Sequence, residues 1–459
     1  MYSTTTTTGK SATFGNAYTP GLATPNKVYE EVYSEKRIAI QRWLANMVDR
    51  ETLSLTRLQK TYRSEYLDLY FKFTAIIGNH MFFFSVLPLL HWFGLGVTAR
   101  GTTYIIMWTV YLTGIAKDYF SAPRPRSPPV QRLSFNSDHS IEYGFPSTHT
   151  AYVIATVLYV SSCILEATNS TFAFGLLAFI WFIGASIIIG RVYCGMHTIL
   201  DVGGGVVMGG AIAWLFINYY PTVDKMMSVN GIEVPLIILL IQFCVIYFHP
   251  SCVDECPCYV DNTSAISVFI GGCIGNWQMF KTLGFDYEEK LATTPYGYHD
   301  LGFLLTATKV ITGVAILVVW KLASKPLMIK IIDKLRSQHF SSHSYEKALS
   351  ETYTKKYTDA LIDSGYISEN SPNASPTASK DPAAIDPSEI NKMLTKEKKY
   401  CGSPCMSMSS ESVKAGRYGT YFLIFSSENL SRIPTYFGIG YLAIGIIPII
   451  YEKLGLISP

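Results

Sequence analysis

Apolar residues recur in long runs for most of the chain, and the polar residues are largely confined between them. The runs occupy residues 71–94, 101–119, 150–168, 172–192, 199–219, 232–249, 264–283, 301–323 and 432–451. A helix crossing a bilayer needs roughly 20 predominantly apolar residues. Only helices and closed barrels satisfy their backbone in lipid, and these runs are too long and continuous for barrel strands. The pattern predicts an all-α fold, a polytopic bundle of about eight to nine transmembrane helices.

The flanking segments have different patterns. Ile38, Ile40, Trp43, Leu44 and Met47 recur at helical spacing among charged residues. This predicts an amphipathic helical segment over 36–69, on the membrane surface or against the bundle. Residues 1–35 are rich in Thr, Ser and Gly and lack the apolar centre of a signal peptide, so a disordered arm is expected. The transmembrane core runs over 70–325. Residues 326–418 are polar and include SENSPNASPTASKDPAAIDPSE, which reads as a largely disordered linker offering phosphorylation sites. Residues 419–459 supply a last span and tail.

Composition agrees with this reading. The 459 residues are 49% hydrophobic and 15% charged, against about 25% charged in soluble domains. A net charge of +3, with no basic cluster interleaved with aromatics, gives no support for nucleic-acid binding. Cys252, Cys256 and Cys258 share the short polar segment SCVDECPCYVD; a disulfide, a metal site and lipidated thiols are all open. Their spacing fits no common zinc pattern, and no second half-site lies nearby in sequence.

Three polar islands carry the chemistry. In AKDYFSAPRPRSPP, Lys117 and Arg124 end the second run, and prolines stiffen the chain around the arginine. In YGFPSTHTAYV, Pro146, Ser147, Thr148 and His149 have the form of a first helical turn, whose free N–H groups and positive dipole end attract anions. In GRVYCGMHTILD, His197 and Asp201 are four residues apart and share a helix face, with Arg191 six residues before the histidine. A carboxylate beside one ring nitrogen leaves the other available as base or nucleophile. The first two islands lie on one connection, and the third follows two spans later, so all three return to one side of the membrane. Three permanent cations, a helix start and two histidines then suit phosphoryl transfer. The islands hold no carboxylate cluster for magnesium, and neither metal nor cofactor is expected.

Lys117-x6-Arg124-Pro125, Pro146-Ser147-Thr148-His149 and Arg191-x5-His197-x3-Asp201 resemble the three-part signature of the type 2 phosphatidic acid phosphatase superfamily. Thr148 replaces the commoner Gly of the second motif, and Gly190 stands where the third often opens with Ser. With GNHMFFFSVLPLLHWFG and HPSCVDECPCYVDNTSAISVFIG, these departures resemble the sphingoid long-chain base phosphate phosphatases, over roughly residues 65–325. The resemblance implies the superfamily's six-helix core. It also implies His197 as a nucleophile that becomes phosphohistidine, Asp201 as its orienting partner, and His149 as acid and then base. Lys117, Arg124, Ser147, Thr148 and Arg191 are implied to hold the phosphoryl oxygens. The expected substrate is a phosphorylated sphingoid base in contact with membrane lipids.

Two other readings compete with that one: a broader phosphatase of lipid or isoprenoid phosphates, and a non-catalytic transporter or scaffold that binds anionic lipid. A binder needs the cations but not His197, Asp201 and His149 together. Sidedness is contested within the sequence. Arg50, Arg57, Lys60, Arg63 and Lys72 precede or open the first run and draw that end, and with it the site, to the cytosol. The resemblance implies an endoplasmic reticulum protein with a lumenal site.

Overall fold

The computed structural model describes residues 21, 29–30, 33–78, 80–133, 142–168, 170–227, 231–250, 252–254, 256–284, 298–339 and 427–456. Residues 1–20 of the expected arm and 340–426, most of the expected linker, lie outside them. All regular structure among the described residues is helical. The helices are α1 (Glu35–Tyr62), α2 (Glu65–Ile77), α3 (His80–Trp92), α4 (Gly96–Phe120), α5 (Thr148–Ala167), α6 (Thr171–Tyr193), α7 (Ile199–Met227), α8 (Glu233–Tyr247), α9 (Cys258–Leu283), α10 (Tyr298–His339), α11 (Ser427–Tyr441) and α12 (Ile447–Lys453). A π-helical turn, Leu442–Ile446, joins the last two.

Among the described residues, five helical stretches are long and apolar enough to cross a membrane: Thr148–Ala167, Thr171–Tyr193, Ile199–Met226, Gly302–Leu335 and Ser427–Lys453. The other expected spans take different forms. The run 71–94 is divided between α2 and α3, and 232–249 yields a helix of 15 residues. α4 and α9 have 25 and 26 residues but carry polar side chains. These two are central. α9 packs against α4 and α11, and α4 also packs against α3 and α5. A helix enclosed by protein can hold polar groups that find partners inside, whereas a lipid-facing helix cannot. Arg100 at the start of α4 illustrates this: it is fully buried and pairs bidentately with Asp224 on α7, at 3.1 and 2.7 Å. By contrast, α6 leaves Phe172, Phe174, Phe179, Trp181 and Phe182 exposed, a face suited to lipid. The protein is a multi-pass membrane protein.

The C-terminal helices complete the core. An added Cβ at Gly271 on α9 would lie 1.9 Å from the backbone oxygen of Phe437 on α11, so the two helices meet backbone to backbone. Trp92 Nε1 donates to Ala443 O at 2.9 Å, and Tyr451 Oη donates to Lys309 O at 2.6 Å. His91 is buried between Gly96 O and Ile444 O, each 3.3 Å away, which is a packing role. Asn262 opens Asn262-Thr263-Ser264, the pattern of a glycosylation site, but it lies within α9 and is 2% exposed, closed to a glycan.

Helix α1 lies against the bundle end that carries the polar islands. Its buried residues Ile38, Gln41, Leu44, Val48, Thr52, Leu55 and Gln59 form one stripe at three- and four-residue spacing. Gln59 Nε2 donates to Gln131 O at 2.8 Å and to Tyr193 O at 3.0 Å, and Gln59 Oε1 accepts from Gln131 N at 2.9 Å. Glu51 accepts from Ile199 N at 2.7 Å, placing a carboxylate on the N-terminal amides of α7. One soluble-looking helix thus ties together the loops on either side of the site.

Candidate active site

α4 ends, α5 begins, α6 ends and α7 begins at this same end of the bundle, so chain direction alone gathers the three islands. Lys117 occupies the last turn of α4. The following Ser121 takes a left-handed conformation with φ 49, turning the chain back toward the bundle. Its hydroxyl donates to Asp118 O at 3.0 Å and bonds Tyr33 Oη at 2.8 Å, offsetting the cost of that conformation. Arg124 follows the turn and reaches the third island, donating through Nη1 to Met196 O at 3.0 Å.

Ser147 is the N-cap of α5, so Thr148 and His149 open the helix. Its Oγ accepts from Thr150 N at 3.4 Å and from Thr150 Oγ1 at 3.0 Å, and its own N–H donates to Asp201 O at 3.0 Å. That last bond fixes the second island to the third. His149 is half-buried and packs on the Tyr152 ring, with centroids 5.3 Å apart.

Arg191 lies in the last turn of α6 and is buried, and its Nε has no hydrogen-bond partner among the described residues. Its carbonyl accepts from Met196 N at 3.1 Å and His197 N at 3.3 Å, which folds the chain sharply between α6 and α7. Gly195 makes this turn with φ +64, and a Cβ there would stand 2.4 Å from Val130 Cγ1 and 2.9 Å from Gln131 O. Gly195→Ala therefore meets both a disfavoured conformation and a clash. It is expected to lower kcat at least about tenfold through displacement of His197, since even 1 Å of misplacement is costly in catalysis. Steady-state phosphate release, beside a thermal melt of the purified variant, checks this.

His197 is 1% exposed and Asp201 fully buried. His197 Nδ1 faces Asp201 Oδ2 at 3.6 Å, beyond hydrogen-bond length, and Thr198 N donates to that same oxygen at 2.8 Å. Burial, followed by the positive charges of Arg124, Arg191, Lys117 and His149, pushes the His197 imidazole well below the ordinary histidine range. Arg191 and Arg124 are both tied to this turn, Arg191 through its carbonyl to His197 N and Arg124 through Nη1 to Met196 O. The folded protein holds this ring neutral. The unfolded chain takes up the proton more readily, so His197 costs stability as pH falls through 6.5 and nothing well above it. The corresponding expectation is that the acid limb of kcat/KM due to His197 lies below pH 6.5. A limb at or above that value, measured across buffers on wild type, contradicts it.

Several neighbours were not legible as site residues. Glu142, which sits on the same connection as the first two islands, accepts from Lys117 Nζ at 2.6 Å and from Arg124 Nη2 at 3.2 Å. Asp118 pairs with His249, not with the adjacent lysine; His249 Nε2 lies 2.8 Å from Asp118 Oδ2. Cys252, Cys256 and Cys258 are free and buried. Asp118, Cys256 and Cys258 bring their ligand atoms within 4.8 Å of one another, with the two sulfurs 2.7 Å apart. Two thiolates on one tetrahedral zinc, each about 2.3 Å from the metal, stand about 3.8 Å apart, so this arrangement does not fit zinc as it stands. Arg126 is an exposed partner of Asp49, and burial pushes Arg132 down to about 10.

Comparison with known proteins identifies the family. The PAP2 superfamily description matches residues 99–225, from α4 to the last turns of α7. A dihydrosphingosine 1-phosphate phosphatase of Schizosaccharomyces pombe is 32% identical over 334 residues, covering 72% of this chain and 80% of the relative. A dihydrosphingosine 1-phosphate phosphatase of Saccharomyces cerevisiae is 29% identical over 344 residues, 74% of this chain and 83% of its own. Human sphingosine-1-phosphate phosphatase 2 is 30% identical over 236 residues, covering 51% and 58%. No solved structure matches the chain significantly. The chain belongs to the PAP2 superfamily and, within it, to the branch of the sphingoid base phosphate phosphatases.

Proposed function

We propose that this protein hydrolyses sphingoid long-chain base 1-phosphates to the free base and inorganic phosphate through a phosphohistidine. The observation that carries the mechanism is the buried His197–Asp201 pair beside Arg124, Arg191 and Lys117, with His149 at the start of α5. His197 Nδ1 is turned to Asp201, so Nε2 is the attacking atom. It forms a P–N bond as the phosphoester P–O bond breaks, and His149 gives its proton to the departing alkoxide. His149 then takes a proton from water. The resulting hydroxide attacks phosphorus, the P–N bond breaks, and phosphate leaves.

Lys117, Arg124, Arg191, the Ser147 hydroxyl and the Thr148 amide at the start of α5 would hold the phosphoryl oxygens, on which negative charge is spread in the transition state. The Nδ1–Oδ2 gap of 3.6 Å would close as phosphate draws the ring into line, since catalytic hydrogen bonds are commonly long in the free enzyme. Such a site at the membrane face suits a substrate whose chain stays in lipid. We place it on the lumenal side of the endoplasmic reticulum membrane.

The test is phosphate release from dihydrosphingosine 1-phosphate by membranes containing the protein, with EDTA present. Release that survives EDTA supports the metal-independent reading. No release from this substrate, from phosphatidate or from isoprenoid diphosphates would leave a lipid-binding membrane protein.

A further inference from the structure

Glu142 stands among the groups assigned to the phosphate. Its Oε2 accepts from Lys117 Nζ at 2.6 Å and Arg124 Nη2 at 3.2 Å, and its backbone oxygen accepts from Arg124 Nε at 2.9 Å. The side chain is 18% exposed, whereas Lys117 and Arg124 are 2% exposed. A carboxylate thus already partners two of the three permanent cations. A phosphate group competes for the same two cations and carries more negative charge, which favours displacement of the carboxylate. The main chain cannot carry it far: besides the Arg124 bond, Tyr143 is fully buried with its hydroxyl 2.9 Å from Asp254 Oδ2, and Gly144 N donates to Ala122 O at 2.8 Å. The displaced carboxylate therefore stays at the rim of the cup, beside the bound phosphoester.

A carboxylate in that position repels a phosphate unless the substrate brings a positive charge. A sphingoid base 1-phosphate brings one, an ammonium on the carbon next to the phosphate-bearing carbon. Phosphatidate has an uncharged ester at that position. We propose that Glu142 is a specificity-determining residue, yielding Lys117 and Arg124 to the phosphate and pairing instead with the ammonium of the sphingoid base. This rests on the proposed phosphatase activity and adds to it the basis on which the substrate is chosen.

The experiment compares kcat/KM for dihydrosphingosine 1-phosphate and its N-acetyl derivative, which keeps the backbone and phosphate but loses the positive charge. Wild type is expected to prefer the amine by about tenfold or more, the worth of one partly buried ion pair. Glu142→Gln keeps the size and a carbonyl acceptor for Lys117. In it the preference is expected to shrink to about twofold, while Glu142→Asp retains part of it. A wild type that treats both substrates alike overturns the proposal without any variant. A preference unchanged in Glu142→Gln also overturns it and reduces Glu142 to a prop for Lys117 and Arg124. Inactivity of wild type on both substrates overturns the phosphatase reading itself, and the proposal with it.

Discussion

Replacing His197 with alanine is expected to lower phosphate release from dihydrosphingosine 1-phosphate by about 10⁴-fold or more, into the background of untransformed membranes. The expectation follows from the double displacement. Without an imidazole there is no P–N intermediate, and the neighbouring ionisable groups offer no substitute. Asp201 is fully buried behind the ring with Thr198 N on one oxygen, and Glu142 is paired with Lys117 and Arg124 before the phosphate binds and, on the proposal above, with the substrate's ammonium afterwards. In the proposed mechanism His149 moves protons at the leaving oxygen, so His149→Ala should cost less, about 10² to 10⁴-fold. Parallel assays with EDTA, normalised to protein content, check both. Release that survives in His197→Ala would remove the covalent mechanism.

The second large effect is expected at Arg124. Its guanidinium bonds Met196 O just before His197, bonds the Glu142 backbone, and presents Nη2 toward the cup. Lysine supplies a charge but a single point of attachment, so it cannot hold the turn and face the phosphate together. Arg124→Lys should therefore lose about 10² to 10³-fold in kcat/KM, the magnitude of losing a preorganised oxyanion donor. Inhibition by vanadate or inorganic phosphate should weaken in parallel. A variant within about threefold of wild type would show that charge alone suffices, a difference of only about 0.7 kcal/mol.

Much of the site could be read from the chain because its chemistry is local. Four-residue spacing joins His197 to Asp201, a helix start sets Ser147, Thr148 and His149, and two intervening spans return the third island to the side of the first two. The all-helical class was equally legible from the long apolar runs. What escaped depends on partners distant in sequence. Lys117 beside Asp118 invites the reading of a local ion pair, yet Lys117 turns to Glu142 and Asp118 to His249. Hydropathy treats α4 and α9 like their lipid-facing neighbours, although both are enclosed by other helices and can hold polar groups. The amphipathic period of α1 left open what it covers; Gln59 and Glu51 identify the loops beside the site.

Helices α10 and α11 pack directly on each other, and α11 is seated against α9 where Gly271 allows contact with Phe437. The face of α9 that receives α11 therefore has its partner only once residues from Ser427 onward have been made. A chain cut short before Ser427 would leave the backbone around Gly271 facing lipid in place of Phe437, so the last helix acts as the closing wedge of the bundle.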